Sequence, residues 1–314
     1  MGKDMREVYT ETLIELAKEN ENICVLEADL MSATGTKAFK EAFPERFFNV
    51  GVAEANMVGV ASGLSTEGKI PFAATFGTFA SRRTFDQFFL SANYAQLNVK
   101  LVGTDPGVTA QFNGGTHMPF EDIGMMRLIP NLTIVEPCDT VSCAALIKLA
   151  AIHEGSMYIR MHRKGSQSLY KDDEVFTLGK GKVLVDGDDI TLIATGFMMV
   201  PEALKAAKIL AQEGIKAAVI DIHTIKPLDK KLVIEYAKKT KAIVTCENHQ
   251  VTGGLGGAVA ELLSEQWPTY LGRIGSQDRF GQVGTLEFLM EDYNLTAKDI
   301  VNTAHEVLNK KKSK

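Results

Sequence analysis

Short, continuous apolar runs alternate with helical stretches from one end of this chain to the other, and that alternation limits its fold more than any other feature. Residues 23–28 (ICVLEA), 70–76, 99–103 and 132–136 have the length and composition of strands buried on both faces. Between them the pattern predicts helices over 56–64, 82–96, 120–128 and 140–153. Strands joined through crossover helices run parallel, so the chain is expected to build a parallel sheet covered on both sides. The polar, glycine-flanked segment 166–181 (SQSLYKDDEVFTLGKG) breaks the rhythm and is expected to be a linker. Strands at 190–194, 216–222 and 242–246 and helices at 201–212, 230–239 and 257–266 then resume it. The expectation is two α/β domains with mainly parallel sheets, 1–165 and a smaller 182–314, without internal repeats.

Composition narrows the function classes. At 314 residues, 45% hydrophobic and 23% charged, the chain matches an ordinary globular protein. A net charge of −5 without a basic cluster argues against nucleic acid as partner. Lys310, Lys311, Lys312 and Lys314 suggest a frayed, solvated tail. No apolar run is long enough to cross a bilayer, and the N-terminus has no signal-peptide pattern. Cys24, Cys138, Cys143 and Cys246 lie in or beside apolar runs without metal-type spacing, as buried, reduced thiols do. A cytoplasmic location is expected, and no metal-ligand cluster stands out.

The segment Phe48-Asn-Val-Gly-Val-Ala-Glu54-Ala-Asn-Met-Val-Gly-Val-Ala-Ser-Gly-Leu64 places a carboxylate between a strand end and a helix. Open α/β sheets bind ligands at the carboxyl ends of their strands. By itself Glu54 is compatible with a simpler role, complementing the helix macrodipole. Its neighbours are apolar, leaving almost nothing to neutralise the charge, so burial is expected to raise its pKa toward neutrality. This stretch resembles the segment of thiamine-diphosphate enzymes whose glutamate bonds the cofactor's aminopyrimidine ring, and more specifically the C-terminal half of a transketolase supplied as a separate subunit.

The resemblance implies roles for further residues. Thr75-Phe-Gly-Thr-Phe-Ala-Ser-Arg-Arg resembles the family's aromatic clamp, with Phe76 and Phe79 against the pyrimidine and Arg82 at a cofactor-contacting position. Asn113-Gly-Gly-Thr-His117 is similar to a loop whose histidine meets substrate hydroxyls and the developing alkoxide. Asn113 stands where the family has a sugar-contacting aspartate, Gly115 replaces a proline or alanine, and Thr104 stands where many members carry a histidine. Arg163, in Met161-His-Arg-Lys164 after a predicted strand, matches a phosphate-binding arginine; Arg6 matches another, and Ser32 lies near a phosphate-contacting serine. Arginine suits that task because its planar donors grip phosphate oxygens in pairs.

Gly253-Gly-Leu-Gly-Gly257 follows a strand and opens a helix as a dinucleotide fingerprint does, but its spacing is not GxGxxG. A tight turn with close helix packing accounts for it. The Gly-Asp-Gly…Asn motif with which this family holds diphosphate and Mg²⁺ does not occur in the sequence. The resemblance therefore implies thiamine diphosphate and Mg²⁺ held mainly by an N-terminal partner subunit, in an α2β2 heterotetramer acting on sugar phosphates. Half of a deoxyxylulose-phosphate synthase, or the β subunit of a 2-oxoacid dehydrogenase component, are the nearest enzymatic alternatives. A non-catalytic regulatory subunit is the third, and the joint presence of Glu54, Phe76, Phe79 and His117 speaks against it.

Overall fold

A computed structural model describes residues 3–165 and 168–313. Residues 166 and 167 of the expected linker and Lys314 of the expected tail lie outside them. The first half contributes the strands Ile23–Glu27 (β1), Phe47–Asn49 (β2), Ile70–Phe76 (β3), Lys100–Thr104 (β4), Thr133–Val135 (β5) and Met157–Met161 (β6). The second contributes Lys182–Val185 (β7), Ile190–Ala194 (β8), Ala217–Asp221 (β9), Thr224–Lys226 (β10), Ala242–Gln250 (β11) and Tyr270–Ser276 (β12). They form two mainly parallel sheets, ordered β10-β5-β6-β4-β3-β1-β2 and β12-β11-β8-β9-β7, each sandwiched between helices.

The side-chain alternation of β1 shows why both faces must be covered. Ile23 and Val25 enter a core with Met5, Tyr9 and Leu13 of the helix Met5–Glu19. Cys24 and Leu26 enter the opposite core with Met57, Val58 and Ala61 of the helix Glu54–Thr66. β8 divides in the same way, Ile190 and Leu192 to one side and Ile193 to the other. All four cysteines are buried and unpaired.

The two halves interlock. β10, from the second half, pairs antiparallel with β5 and completes the first sheet, with Thr224 opposite Val135. Arg160 on β6 is fully buried and uses all three guanidinium nitrogens: Nε donates to Asp122 Oδ2 (2.7 Å), Nη1 to Glu136 Oε1 (2.5 Å) and Nη2 to the Asn248 carbonyl of β11 (2.8 Å).

Two expectations need correction. The helix predicted over 82–96 is three pieces, Gly77–Arg82, Phe85–Gln87 and a π-helical turn Phe88–Tyr94. Hydroxyls compete with the ladder here: Ser81 Oγ donates to the Gly77 carbonyl at 2.7 Å and Thr84 Oγ1 to that of Ala80 at 2.5 Å. The C-terminal lysines are not all a frayed tail either. The helix Ala297–Lys312 carries Lys311 back onto the domain, where Nζ donates to the carbonyls of Thr240 (2.8 Å) and Asp189 (3.1 Å).

Candidate functional site

Five neighbouring strands of the first sheet, β6, β4, β3, β1 and β2, end on the same edge. Arg163 follows β6, Asn113 and His117 follow β4, Phe76 ends β3 with Phe79 just beyond, Ser32 follows β1, and Glu54 follows β2. Residues scattered over more than a hundred positions are thus gathered at the carboxyl edge where parallel sheets place ligands.

Glu54 is the first residue of its helix and only 4% exposed. The turn leading to it is shaped by Asn49, whose Oδ1 accepts the amides of Asp29 (3.0 Å) and Gly51 (3.1 Å), and by the left-handed Gly51 at φ 75°. The expectation that nothing polar neutralises Glu54 is not met. Arg83 Nη1 lies 3.0 Å from Oε1 and 3.1 Å from Oε2, so the buried carboxylate has a cationic partner. Arg83 escaped the sequence reading because the helix was placed too late. With the chain turning helical at Gly77, Phe79 and Arg83 stand four apart, and the guanidinium carbon settles 4.0 Å from the Phe79 ring centre.

Phe76 and Phe79 are half-buried, with ring centres 6.1 Å apart. His117 meets both rings edge-on, 6.1 Å from Phe76 and 5.3 Å from Phe79. Its Nδ1 is 3.0 Å from Thr116 Oγ1, which leaves Nε2 as the nitrogen available to a substrate hydroxyl. Arg82 is engaged away from this ring cluster: it pairs with Glu121 (3.0 Å) and donates to the Thr116 carbonyl (2.9 Å), bracing the backbone beside His117. Asn113 is exposed beside the loop tip, and Thr104 is buried with its hydroxyl 3.4 Å from the Thr75 carbonyl.

Arg163, Arg6 and Ser32 also come together. Arg163 Nη1 (3.2 Å) and Arg6 Nη1 (3.3 Å) both donate to the carbonyl of Ala33, next to the exposed Ser32. The Arg163 guanidinium carbon lies 4.9 Å from the Phe76 ring centre, which ties this basic corner to the aromatic one. Each arginine already has an acid partner: Nε and Nη2 of Arg163 reach Asp105 Oδ2 at 2.6 Å, and Nη2 of Arg6 reaches Asp4 Oδ2 at 3.1 Å. Burial pushes the Asp105 carboxyl above its ordinary range, against the pull of Arg163. Asp105 was not singled out from sequence, and its left-handed backbone (φ 56°) has no sequence signal.

At Gly253-Gly-Leu-Gly-Gly257 the helix start is occupied from within the chain. The Glu247 carboxylate accepts the amides of Leu255 and Gly256, both at 2.7 Å, so the chain's own acid fills the start of that helix. A Cβ on Gly254 would lie 1.9 Å from Glu247 Oε2, which is why glycine is needed there.

Two half-buried aromatic rings, and a buried carboxylate linked to one of them through Arg83, are groups that fit an aminopyrimidine ring. The arginines of the same edge, Arg6, Arg83 and Arg163, each already face a carboxylate of this chain. Among the described residues no group of three or more His, Cys, Asp or Glu is placed to hold a metal ion. No helix among them is long and apolar enough to cross a membrane.

The sequence matches the family "Transketolase, pyrimidine binding domain" over residues 1–167 and "Transketolase, C-terminal domain" over residues 179–300. The chain belongs to the transketolase family. It is 49% identical to the 6-deoxy-6-sulfo-D-fructose transketolase subunit SqwH of Clostridium sp. strain MSTE9, over 98% of this chain and 95% of that one. A putative transketolase C-terminal section of Methanocaldococcus jannaschii is 45% identical over 98% of this chain and 97% of its own length. A solved split-gene transketolase, described as an inactive beta4 tetramer, superimposes with a TM-score of 0.92 at 46% identity, covering 98% of this chain and 99% of that one. The chain is therefore of the split-transketolase kind, as the resemblance implied.

Proposed function

We propose that the chain supplies the pyrimidine half of a thiamine diphosphate site and that a second subunit brings the ligands for diphosphate and Mg²⁺. Together they move a two-carbon ketol unit from a ketose phosphate to an aldose phosphate, as an α2β2 heterotetramer. The observation that carries this reading is the convergence of Glu54, the Phe76–Phe79–His117 cluster and Arg163 on one sheet edge. The SqwH relative, itself a transketolase subunit, supports the two-chain arrangement. The solved beta4 assembly, described as inactive, supports dependence on a partner. Four buried, unpaired thiols support a reducing, cytoplasmic setting.

When bound, the cofactor supplies the electron sink for breaking a carbon–carbon bond beside a carbonyl. In this reading Glu54 Oε shares a proton with the pyrimidine ring nitrogen while Arg83 steadies the carboxylate. Phe76 and Phe79 orient the ring and exclude water. His117 Nε2 holds a substrate hydroxyl, and Arg163, Arg6 and Ser32 receive the anionic end of the sugar.

A second reading of the donor rests on the acid partners of that corner. Two guanidinium charges face two carboxylates, Asp4 and Asp105, so a singly charged tail such as a sulfonate meets less competition there than a phosphate dianion. One experiment covers both. The chain, alone and with its partner subunit, is assayed with thiamine diphosphate, Mg²⁺ and ketose donors carrying phosphate or sulfonate ends. The complex should transfer ketol units and the isolated chain should not. Robust transfer by the chain alone, once mass spectrometry excludes a co-purified partner, would overturn the reading.

A further inference from the structure

Three consecutive residues near the end of β11 reach from the second half of the chain into the first or secure the turn beside it. Glu247 closes the start of the helix Leu255–Gln266 that follows β11, and His249 Nε2 accepts the amide of Gly124 at 3.2 Å. Asn248, between them, is 3% exposed and has both ends of its carboxamide occupied. Nδ2 donates to the Pro106 carbonyl at 2.8 Å, and Oδ1 accepts the amide of Val108 at 3.0 Å.

The backbone it grips is the root of the loop that carries Asn113 and His117. Gly107 donates to the Pro119 carbonyl at 3.2 Å and closes the loop at its base. Asp105, the residue before Pro106, holds Arg163. Gly107 lies directly against the carboxamide: its φ is 49°, and a Cβ there would sit 2.1 Å from Asn248 Oδ1. Only glycine admits this contact. The loop tip also rests on the second half, since a Cβ on Gly115 would lie 2.1 Å from the Gly281 carbonyl oxygen. Its backbone is strained, with Asp105 at φ 56° and Gln111 at φ 48°, ψ −116°. Such conformations persist only where the surroundings over-determine them.

We propose that Asn248 is a positioning residue: it holds the root of loop 105–119 so that Asp105 presents Arg163 and the loop presents His117 to the substrate. The proposal rests on the functional reading above in assigning those two residues to the substrate, and it gives the second half of the chain a part in the reaction. An asparagine is suited because one carboxamide matches one carbonyl and one amide two residues apart. Asn248→Asp keeps the shape but cannot donate to Pro106 when ionised, and Asn248→Ala removes both bonds.

The test uses the complex with its partner subunit and adds hydrogen–deuterium exchange on the same preparations. Both variants should raise KM for the ketose donor about ten- to a hundredfold, as loss of buried hydrogen bonds does. Exchange of the thiazolium C2 proton, which depends on Glu54 and not on this loop, should keep its wild-type rate. Amides of residues 107–118 should exchange faster in both variants, while those of β8 should not change. A wild-type complex without ketol transfer would refute the functional reading and leave amide exchange to judge the clamp. Transfer by wild type, with variants that keep its KM or its loop protection, overturns the proposal, and a lowered Tm alone would mark Asn248 as structural. Should Asn248→Ala fail to fold, Asn248→Asp carries the test.

Discussion

Arg83 Nη1 sits almost equally far from the two carboxylate oxygens of Glu54, at 3.0 and 3.1 Å, and joins a half-exposed guanidinium to a buried acid. That contact holds the carboxylate in place before any cofactor reaches it.

Glu54→Gln should leave the fold intact, because the lost ion pair is half open to solvent and such pairs contribute about 0–1 kcal/mol. The amide cannot share the proton, and kcat of the reconstituted complex should fall about 10²- to 10⁴-fold. Exchange of the thiazolium C2 proton, followed by NMR with cofactor saturating both proteins, reads the step directly. Wild-type exchange in the variant would return Glu54 to the role of a helix-terminal charge.

Arg163→Ala should raise KM for donors with an anionic end much more than for donors lacking one, because its proposed role is to hold that end with its guanidinium beside Ala33. Steady-state kinetics with matched charged and uncharged ketoses checks this. An equal loss for both would remove Arg163 from the substrate's anionic end and leave it as the partner of Asp105.

Glu27, at the end of β1, should make stability fall with rising pH. Burial pushes its carboxyl up to about 8 from the ordinary 4.5, despite hydrogen bonds to Oε1 from Thr34 (2.6 Å) and Thr36 (2.7 Å), and Oε2 has no partner. Between those values the folded chain binds more protons than the unfolded one. The contribution is therefore fully present below pH 4.5 and is lost as pH rises through about 8. Glu27→Gln keeps an acceptor for both threonines and removes the charge. Its Tm should vary less between pH 5 and 9 (roughly that window) and exceed wild type at the alkaline end by the equivalent of about 1–3 kcal/mol. Parallel Tm profiles for the two proteins would rule Glu27 out as the source.

Much of this architecture was legible because parallel sheets impose a local signature. A strand buried on both faces is mostly apolar, so β1, β3 and β8 stand out in the sequence, and candidate ligand residues follow β1 and β3 at their carboxyl ends. The short strands β7 and β10 carry no such run and were missed. The site's charge pairing was hidden for a different reason. Arg83 is 29 residues from Glu54, and Asn248 is 142 from Pro106, so no spacing rule connects them. Arg83 stood in a stretch already recognised, and a helix begun five residues earlier, at Gly77, would have set it over Phe79.

A protease that cut the exposed stretch around Lys171–Asp173 would break one covalent link and free nothing, because β10 stays hydrogen-bonded to β5 and Arg160 stays bonded to Asn248. The fragments would travel as one nicked particle. A gene shortened to the first half would lose β10, leaving Ile134 and Val135 on an open sheet edge ready to recruit another chain. The linker is thus a break in the sequence pattern and not in the fold, whose halves share a sheet.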